Sequence, residues 1–117
     1  MNPIDTAALD TLFIKARTAN GFLDKPVPED LLRRVYEIAA LGPTSMNTQP
    51  TRYVFLNTKE ARERLLPAML PGNLDKTRSA PVTVIVATDT KFYEYMPKVW
   101  HREGAKDANS SCWVRVA

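Results

Sequence analysis

The run Val82-Thr83-Val84-Ile85-Val86-Ala87 constrains this chain more than any other feature. All but Thr83 are apolar and most are β-branched, which predicts a strand apolar on both faces. Such a strand belongs inside a sheet with a covering layer on each side. The rest of the chain must supply those layers or leave large side chains in water.

The supply is thin. Tyr53-Val54-Phe55-Leu56 predicts one further short strand. Leu9, Leu12, Phe13 and Ala16 fall at i, i+3, i+4 and i+7, predicting a first helix with one buried stripe. Asn2-Pro3 or Asp5 starts it, Asn20-Gly21 stops it, and Lys15 and Arg17 occupy its last turn, where positive charge suits the dipole. Pro26 and Pro28 bracket an extended link, and Pro28 predicts the first residue of a second helix with Glu29 and Asp30 in its opening turn. Leu31, Leu32, Val35, Ile38 and Ala39 make its buried stripe, and Gly42-Pro43 ends it. Thr58 caps a third helix from Lys59 to about Leu66, ended by Pro67. Pro71-Gly72-Asn73 reads as a turn leading into a polar stretch. Phe92 to Trp100 predicts another helix, disturbed by Pro97. Two strands do not make a stable sheet alone, so the inventory reads as half of an α+β domain.

At 117 residues, 44% hydrophobic and 25% charged, the chain has room for one globular domain. No apolar run reaches membrane-spanning length, and Met1 to Ala19 lacks a signal's apolar stretch. Asp5 and Asp10 argue against a transit peptide, which leaves the cytoplasm as the expected compartment. Cys112 and His101 are single, so no metal site is expected. Sixteen basic residues against thirteen acidic are a modest excess. Its densest stretch (Arg62, Arg64, Lys76, Arg78) is interrupted by Glu63 and Asp75. No nucleic-acid recognition motif accompanies it, and an anionic cofactor or substrate explains the excess equally well.

Between the second helix and the first strand lies Pro43-Thr44-Ser45-Met46-Asn47-Thr48-Gln49-Pro50. Two prolines fix its ends and small polar side chains fill its middle, a composition suited to a functional loop on a rigid scaffold. With Arg17-Thr18-Ala19-Asn20-Gly21-Phe22, Lys25-Pro26-Val27-Pro28, and Gly72-Asn73-Leu74-Asp75-Lys76 ahead of Ala80-Pro81, its order and intervals resemble the FMN-dependent nitroreductase family from about Leu9 to Trp100. The forms Ala16-Arg17-Thr18-Ala19-Asn20-Gly21 and Gly42-Pro43-Thr44-Ser45-Met46-Asn47 resemble its malonic semialdehyde reductase branch, linked to pyrimidine breakdown and 3-hydroxypropanoate formation.

The resemblance implies an α+β nitroreductase-like fold, an antiparallel-type sheet flanked by helices, incomplete in this chain. It implies a homodimer with FMN at the subunit interface and NAD(P)H as co-substrate, passing hydride by a ping-pong route to a small molecule such as malonic semialdehyde. A nitro or quinone reductase of the same family is the alternative. Neither nucleic acid nor membrane is an expected partner. The expected cofactor contacts are Arg17, Thr18, Asn20, Pro43, Thr44, Ser45, Asn47, Gln49 and Asn73. Arg17 offers a planar fork of donors to the FMN phosphate, and Thr18 a hydroxyl. Asn20 stands where many family members carry a second arginine, so some phosphate charge must be met elsewhere. Asn73 reaches the polar edge of the flavin ring, Ser45 and Asn47 reach FMN held mainly by the other subunit, and Gln49 supports the loop. Each has a plainer reading: Arg17 as a helix-end cation, Ser45, Asn47 and Asn73 as turn residues. The hydride chemistry belongs to FMN, so no catalytic side chain is named. No Gly-x-Gly-x-x-Gly fingerprint occurs.

Residues 1–103 read as the N-terminal part of such a domain. Gly104 to Ala117 shows no helix or strand period and reads as a divergent tail, from a frameshift or a truncation, in which Asn109-Ser110-Ser111 resembles the start of a later family helix. A non-catalytic fragment unable to hold flavin is therefore the competing expectation.

Overall fold

Thr51–Leu56 (β1) and Thr83–Thr88 (β2) pair antiparallel, with Thr51 opposite Thr88, Tyr53 opposite Val86 and Leu56 opposite Thr83. This computed structural model describes residues 3–110. The expectations attached to Asn2, Cys112 and the Asn109-Ser110-Ser111 comparison fall outside the described residues or side chains. The ladder is the whole sheet among the described residues. Both strands form where the apolar runs predict, each slightly shifted or extended.

The covering layers are incomplete, and β2 lies largely bare, as the thin supply of covering elements implies. Val84, Ile85 and Val86 are all exposed, Val86 to 65%. The second helix, Glu29–Ala40 (α2), reaches the ladder where Tyr36 meets the Tyr53 ring edge-on, with centroids 5.9 Å apart. Its expected buried stripe is corrected, since Leu31, Val35 and Ile38 are each at least half exposed. Pro28 sits one position earlier than expected, as the extended residue before α2, where its carbonyl accepts from the Leu32 N–H at 3.2 Å. Gly42 donates back to Ala39 at 3.2 Å as α2 ends.

The first helix falls well short of Asn20-Gly21. Thr6–Leu9 (α1) starts on the Asp5 carboxylate, which accepts from the Ala8 N–H at 2.9 Å. It widens into a π turn over Asp10–Ile14, closed by Lys15 N–H to the Asp10 carbonyl at 2.8 Å, and the Lys15 ammonium pairs with the Asp10 carboxylate. Leu12 and Phe13 are exposed, Phe13 to 71%. A short helix owes most of its stability to an apolar face packed on something, and this face has no such support.

Lys59–Leu65 (α3) behaves as its local chemistry dictates: the Thr58 hydroxyl accepts from the Ala61 N–H at 3.2 Å, and a 3-10 turn through Pro67 ends it. Pro71–Asn73 is a 3-10 turn that enters a short helix, Leu74–Ser79 (α4), where a polar stretch was expected. Within it the Thr77 hydroxyl donates to the Asn73 carbonyl at 2.9 Å, and Thr77 is buried. Arg62 ties α3 to the start of β2 by donating to the Pro81 carbonyl at 2.9 Å.

The best-packed cluster lies elsewhere. Phe92 opens a 3-10 turn (Phe92–Tyr95), and Met96 and Pro97 open Met96–Val99 (α5), so the single helix expected over 92–100 is divided where the missing proline N–H divides it. Ala105–Ser110 (α6) follows, in a segment read as lacking any element. Gly104 makes the approach at φ +76°, a left-handed turn that favours glycine. Met96, Phe92 and Ala105 form a buried cluster against which Met46, Tyr93 and Val99 pack, with Met96 wholly out of solvent.

These small cores leave an open molecule. The radius of gyration is 18.2 Å, against about 13 Å for a compact domain of roughly 100 residues. Among the described residues no helix is long and apolar enough to cross a membrane.

Candidate functional site

The polar loop between α2 and β1 is held in an unusual backbone conformation. Thr44 is extended, and Ser45–Asn47 form a 3-10 turn kinked at Met46 (φ 52°, ψ 26°). Asn47 and Gln49 are left-handed as well, at φ 56° and 43°. Asparagine tolerates this region; methionine and glutamine do so at a cost of about 1–3 kcal/mol each and persist only when their surroundings over-determine them.

Those surroundings are visible. The Asn47 N–H donates to the Thr44 carbonyl at 3.2 Å and the Thr48 N–H to the Ser45 carbonyl at 3.0 Å. The Thr44 hydroxyl accepts from the Gln49 N–H at 3.1 Å. The Gln49 carboxamide donates to Asn47 Oδ1 at 2.5 Å, and Asn47 Nδ2 reaches the Val99 carbonyl at 3.4 Å. Met46 packs against the Phe92–Met96–Ala105 cluster. The loop is thus anchored to the region of α5 by the Asn47–Val99 bond and by Met46 packing, across some fifty residues of sequence.

The structure joins Thr44, Asn47 and Gln49 directly, with Ser45 inside the same turn and Pro43 and Pro50 at its ends. A shallow recess opens beside them, lined by Tyr36, Gly42, Thr44, Gln49, Arg52 and Tyr53.

The other candidates stand apart. Arg17 lies beyond the end of its helix, which corrects its placement in the last turn. Its Nη1 donates to the carbonyls of Ile14 at 3.2 Å and Ala16 at 2.7 Å, the helix-end role of a terminal arginine. Thr18 and Asn20 follow in an exposed segment. Asn73 is exposed and its carboxamide makes no capping bond to α4, so that carboxamide is open to a ligand. Among the described residues no group of three His, Cys, Asp or Glu side chains could hold a metal.

Arg52 was not foreseen as a site residue. Its guanidinium donates from Nη1 to the Gln49 carbonyl at 2.8 Å and from Nη2 to Asp89 Oδ2 at 2.8 Å. A single charged side chain entering an apolar strand just after a polar loop was the signal available in the sequence.

The donor set suits a flat group with a polar edge. Ser45, the second amide hydrogens of Asn47 and Gln49, and the Asn73 carboxamide can each meet ring nitrogens or oxygens. Arg17 keeps Nε and Nη2 for a phosphate even while Nη1 serves its helix end. FMN has both such parts, so these residues fit it in kind.

A family profile described as the nitroreductase family matches residues 14–112. A Stenotrophomonas maltophilia (strain R551-3) protein named "Putative NADH dehydrogenase/NAD(P)H nitroreductase" is 52% identical over 103 residues, covering 88% of this chain and 53% of that protein. The "Nitroreductase Family Protein from Streptococcus pneumoniae TIGR4" superposes with a TM-score of 0.66 at 27% identity, over 83% of this chain and 51% of that one. A protein from Exiguobacterium sibiricum 255-15, described as "a putative nitroreductase in complex with FMN", superposes at 0.70 with 18% identity, over 96% of this chain and 51% of that one. This last likeness bears on fold alone. The chain spans about half the length of the curated relatives it matches. With the profile running over most of its residues, the chain belongs to the nitroreductase family.

Proposed function

We propose that this chain is the N-terminal part of an FMN-dependent oxidoreductase that draws electrons from NAD(P)H and acts in the cytoplasm as a homodimer. Family membership supports the reading, as does the name of the Stenotrophomonas relative. The observation that carries it is the Pro43–Pro50 loop, whose left-handed residues at 46, 47 and 49 concentrate backbone strain on the segment that bears the candidate flavin contacts. Strain held in place by several contacts is characteristic of ligand sites.

FMN would supply the hydride carrier that serves NAD(P)H and the second substrate in turn. The chain's own residues bind and orient. Arg17 and Thr18 meet the phosphate, with Asn20 beside them as a neutral donor. Asn73 meets the ring edge, and Ser45 and Asn47 reach flavin bound to the other subunit. Gln49 fixes the Asn47 carboxamide, and Pro43 and Thr44 set the entry of the loop. The substrate class is a short aldehyde acid such as malonic semialdehyde, in accord with the Ala16–Gly21 and Gly42–Asn47 forms; a nitroaromatic or quinone is the alternative within the family.

A second reading rests on a different observation. Leu31, Val35, Ile38, Val84 and Val86 are exposed, so residues 1–117 by themselves can be an associating chain that holds no flavin. One preparation separates the two. The purified chain is mixed with FMN and NADPH and assayed with malonic semialdehyde and a nitroaromatic. A monodisperse yellow dimer that turns over either compound supports the enzyme; a colourless, aggregating protein supports the second reading.

A further inference from the structure

We propose that Arg52 is a positioning residue that clamps the left-handed loop in its ligand-facing conformation, with Asp89 as its counter-anchor. The inference rests on the loop being the flavin site, and adds to it a residue outside the loop that sets the loop's geometry.

Arg52 lies in β1 and Asp89 directly follows β2, so the register that pairs Thr51 with Thr88 brings them together at the open end of the ladder. Nη1 donates to the Gln49 carbonyl at 2.8 Å and to the Thr51 carbonyl at 3.1 Å; Nη2 donates to the Asp89 carboxylate at 2.8 Å. The guanidinium also lies 5.9 Å from the centre of the Tyr95 ring, within reach of a cation–π contact. Asp89 is fixed independently. Its N–H donates to the Pro50 carbonyl at 2.8 Å, and its other carboxylate oxygen accepts from the Lys91 N–H at 2.9 Å.

The carbonyl held by Arg52 belongs to Gln49, one of the left-handed residues. Holding that carbonyl fixes the peptide leaving the strained residue, while the Thr44 hydroxyl holds the Gln49 N–H on the other side. A partly exposed ion pair adds little to overall stability. The specific effect is directional: a planar fork spans a carbonyl and a carboxylate at once, which an ammonium cannot reproduce.

The test uses the full chain and the variants Arg52→Lys, Arg52→Ala and Asp89→Asn. Hydrogen exchange is read at the Asn47, Thr48 and Gln49 amides, with the Thr58-capped Ala61 amide as a remote control. FMN affinity and melting temperature are measured alongside. Expected is at least about tenfold faster exchange in the loop with Ala61 unchanged, the opening of a local hydrogen-bonded unit. FMN dissociation should rise about tenfold in Arg52→Lys at nearly unchanged melting temperature, a split that a merely structural role would not give. Arg52→Lys and Asp89→Asn keep the test decisive if Arg52→Ala fails to fold. Unchanged loop exchange, or acceleration spread equally to Ala61, overturns the clamp. Wild-type chain that binds no FMN defeats the flavin reading alone, because loop exchange still decides the clamp.

Discussion

Gln49 donates its carboxamide N–H to Asn47 Oδ1 at 2.5 Å, and both residues are left-handed while Thr48 between them is right-handed. The contact ties the two left-handed residues together across Thr48, and Gln49 itself stays exposed. Side-chain chemistry here sustains a conformation that glycine would supply without support.

This geometry predicts an inverted ranking at position 47. Asn47→Ala and Asn47→Gly lose the same carboxamide contacts, but alanine is strained at φ 56°. Asn47→Gly should be the more stable of the two by about 0.5–1 kcal/mol, the left-handed cost of alanine less the extra unfolded freedom of glycine. Urea midpoints measure it. Alanine matching or exceeding glycine would show that the loop is not left-handed there in solution.

The cap on α3 gives a purely local prediction. The Thr58 hydroxyl satisfies the Ala61 N–H, so Thr58→Ala should cost about 1 kcal/mol and Thr58→Ser much less. Denaturation with an unchanged m-value checks it, and equal loss in both variants would remove the hydroxyl from the account.

Arg17 provides the phosphate prediction. In a complete version of the protein, Arg17→Ala should weaken FMN binding by about 1.5–3 kcal/mol, the range for a charge-assisted hydrogen bond. Arg33→Ala, whose partner is the exposed Glu29, should not. In a complete homolog, mixing Arg17→Ala with Asn47→Ala subunits should restore one full-affinity site if the two residues serve FMN across an interface. Fluorescence titration reads both results; no recovery in the mixture defeats the shared site.

The bare apolar faces predict self-association. Ile38 and Val86 are both more than half exposed. Ile38→Glu and Val86→Lys should lower the apparent mass in light scattering after gel filtration, with far-ultraviolet circular dichroism unchanged. An already monomeric wild-type chain would contradict this.

Legibility in the sequence followed the range of the interactions. Both strands, the Thr58 cap, the Pro67 stop and the Pro97 division were readable because each is decided within a few residues. The first helix was overread because its length depended on a surface against which Leu12 and Phe13 could pack. The helix at Ala105–Ser110 was missed although Gly104 supplies a turn before it. In the loop, composition marked a polar segment between two prolines, but nothing in it marks Met46 or Gln49 as left-handed when neither is glycine. Arg52 was the hardest to foresee, since its partner lies 37 residues away and is brought near only by strand register.

The two-stranded ladder has a thermodynamic corollary. Each strand has one unpaired edge among the described residues, and an unpaired edge is a template for another chain. Whatever pairs with or covers it binds the folded form and not the unfolded one, so mass action sets how stable the fold is. The melting temperature of this chain should therefore climb with its own concentration, and a value quoted without the concentration describes the sample more than the sequence.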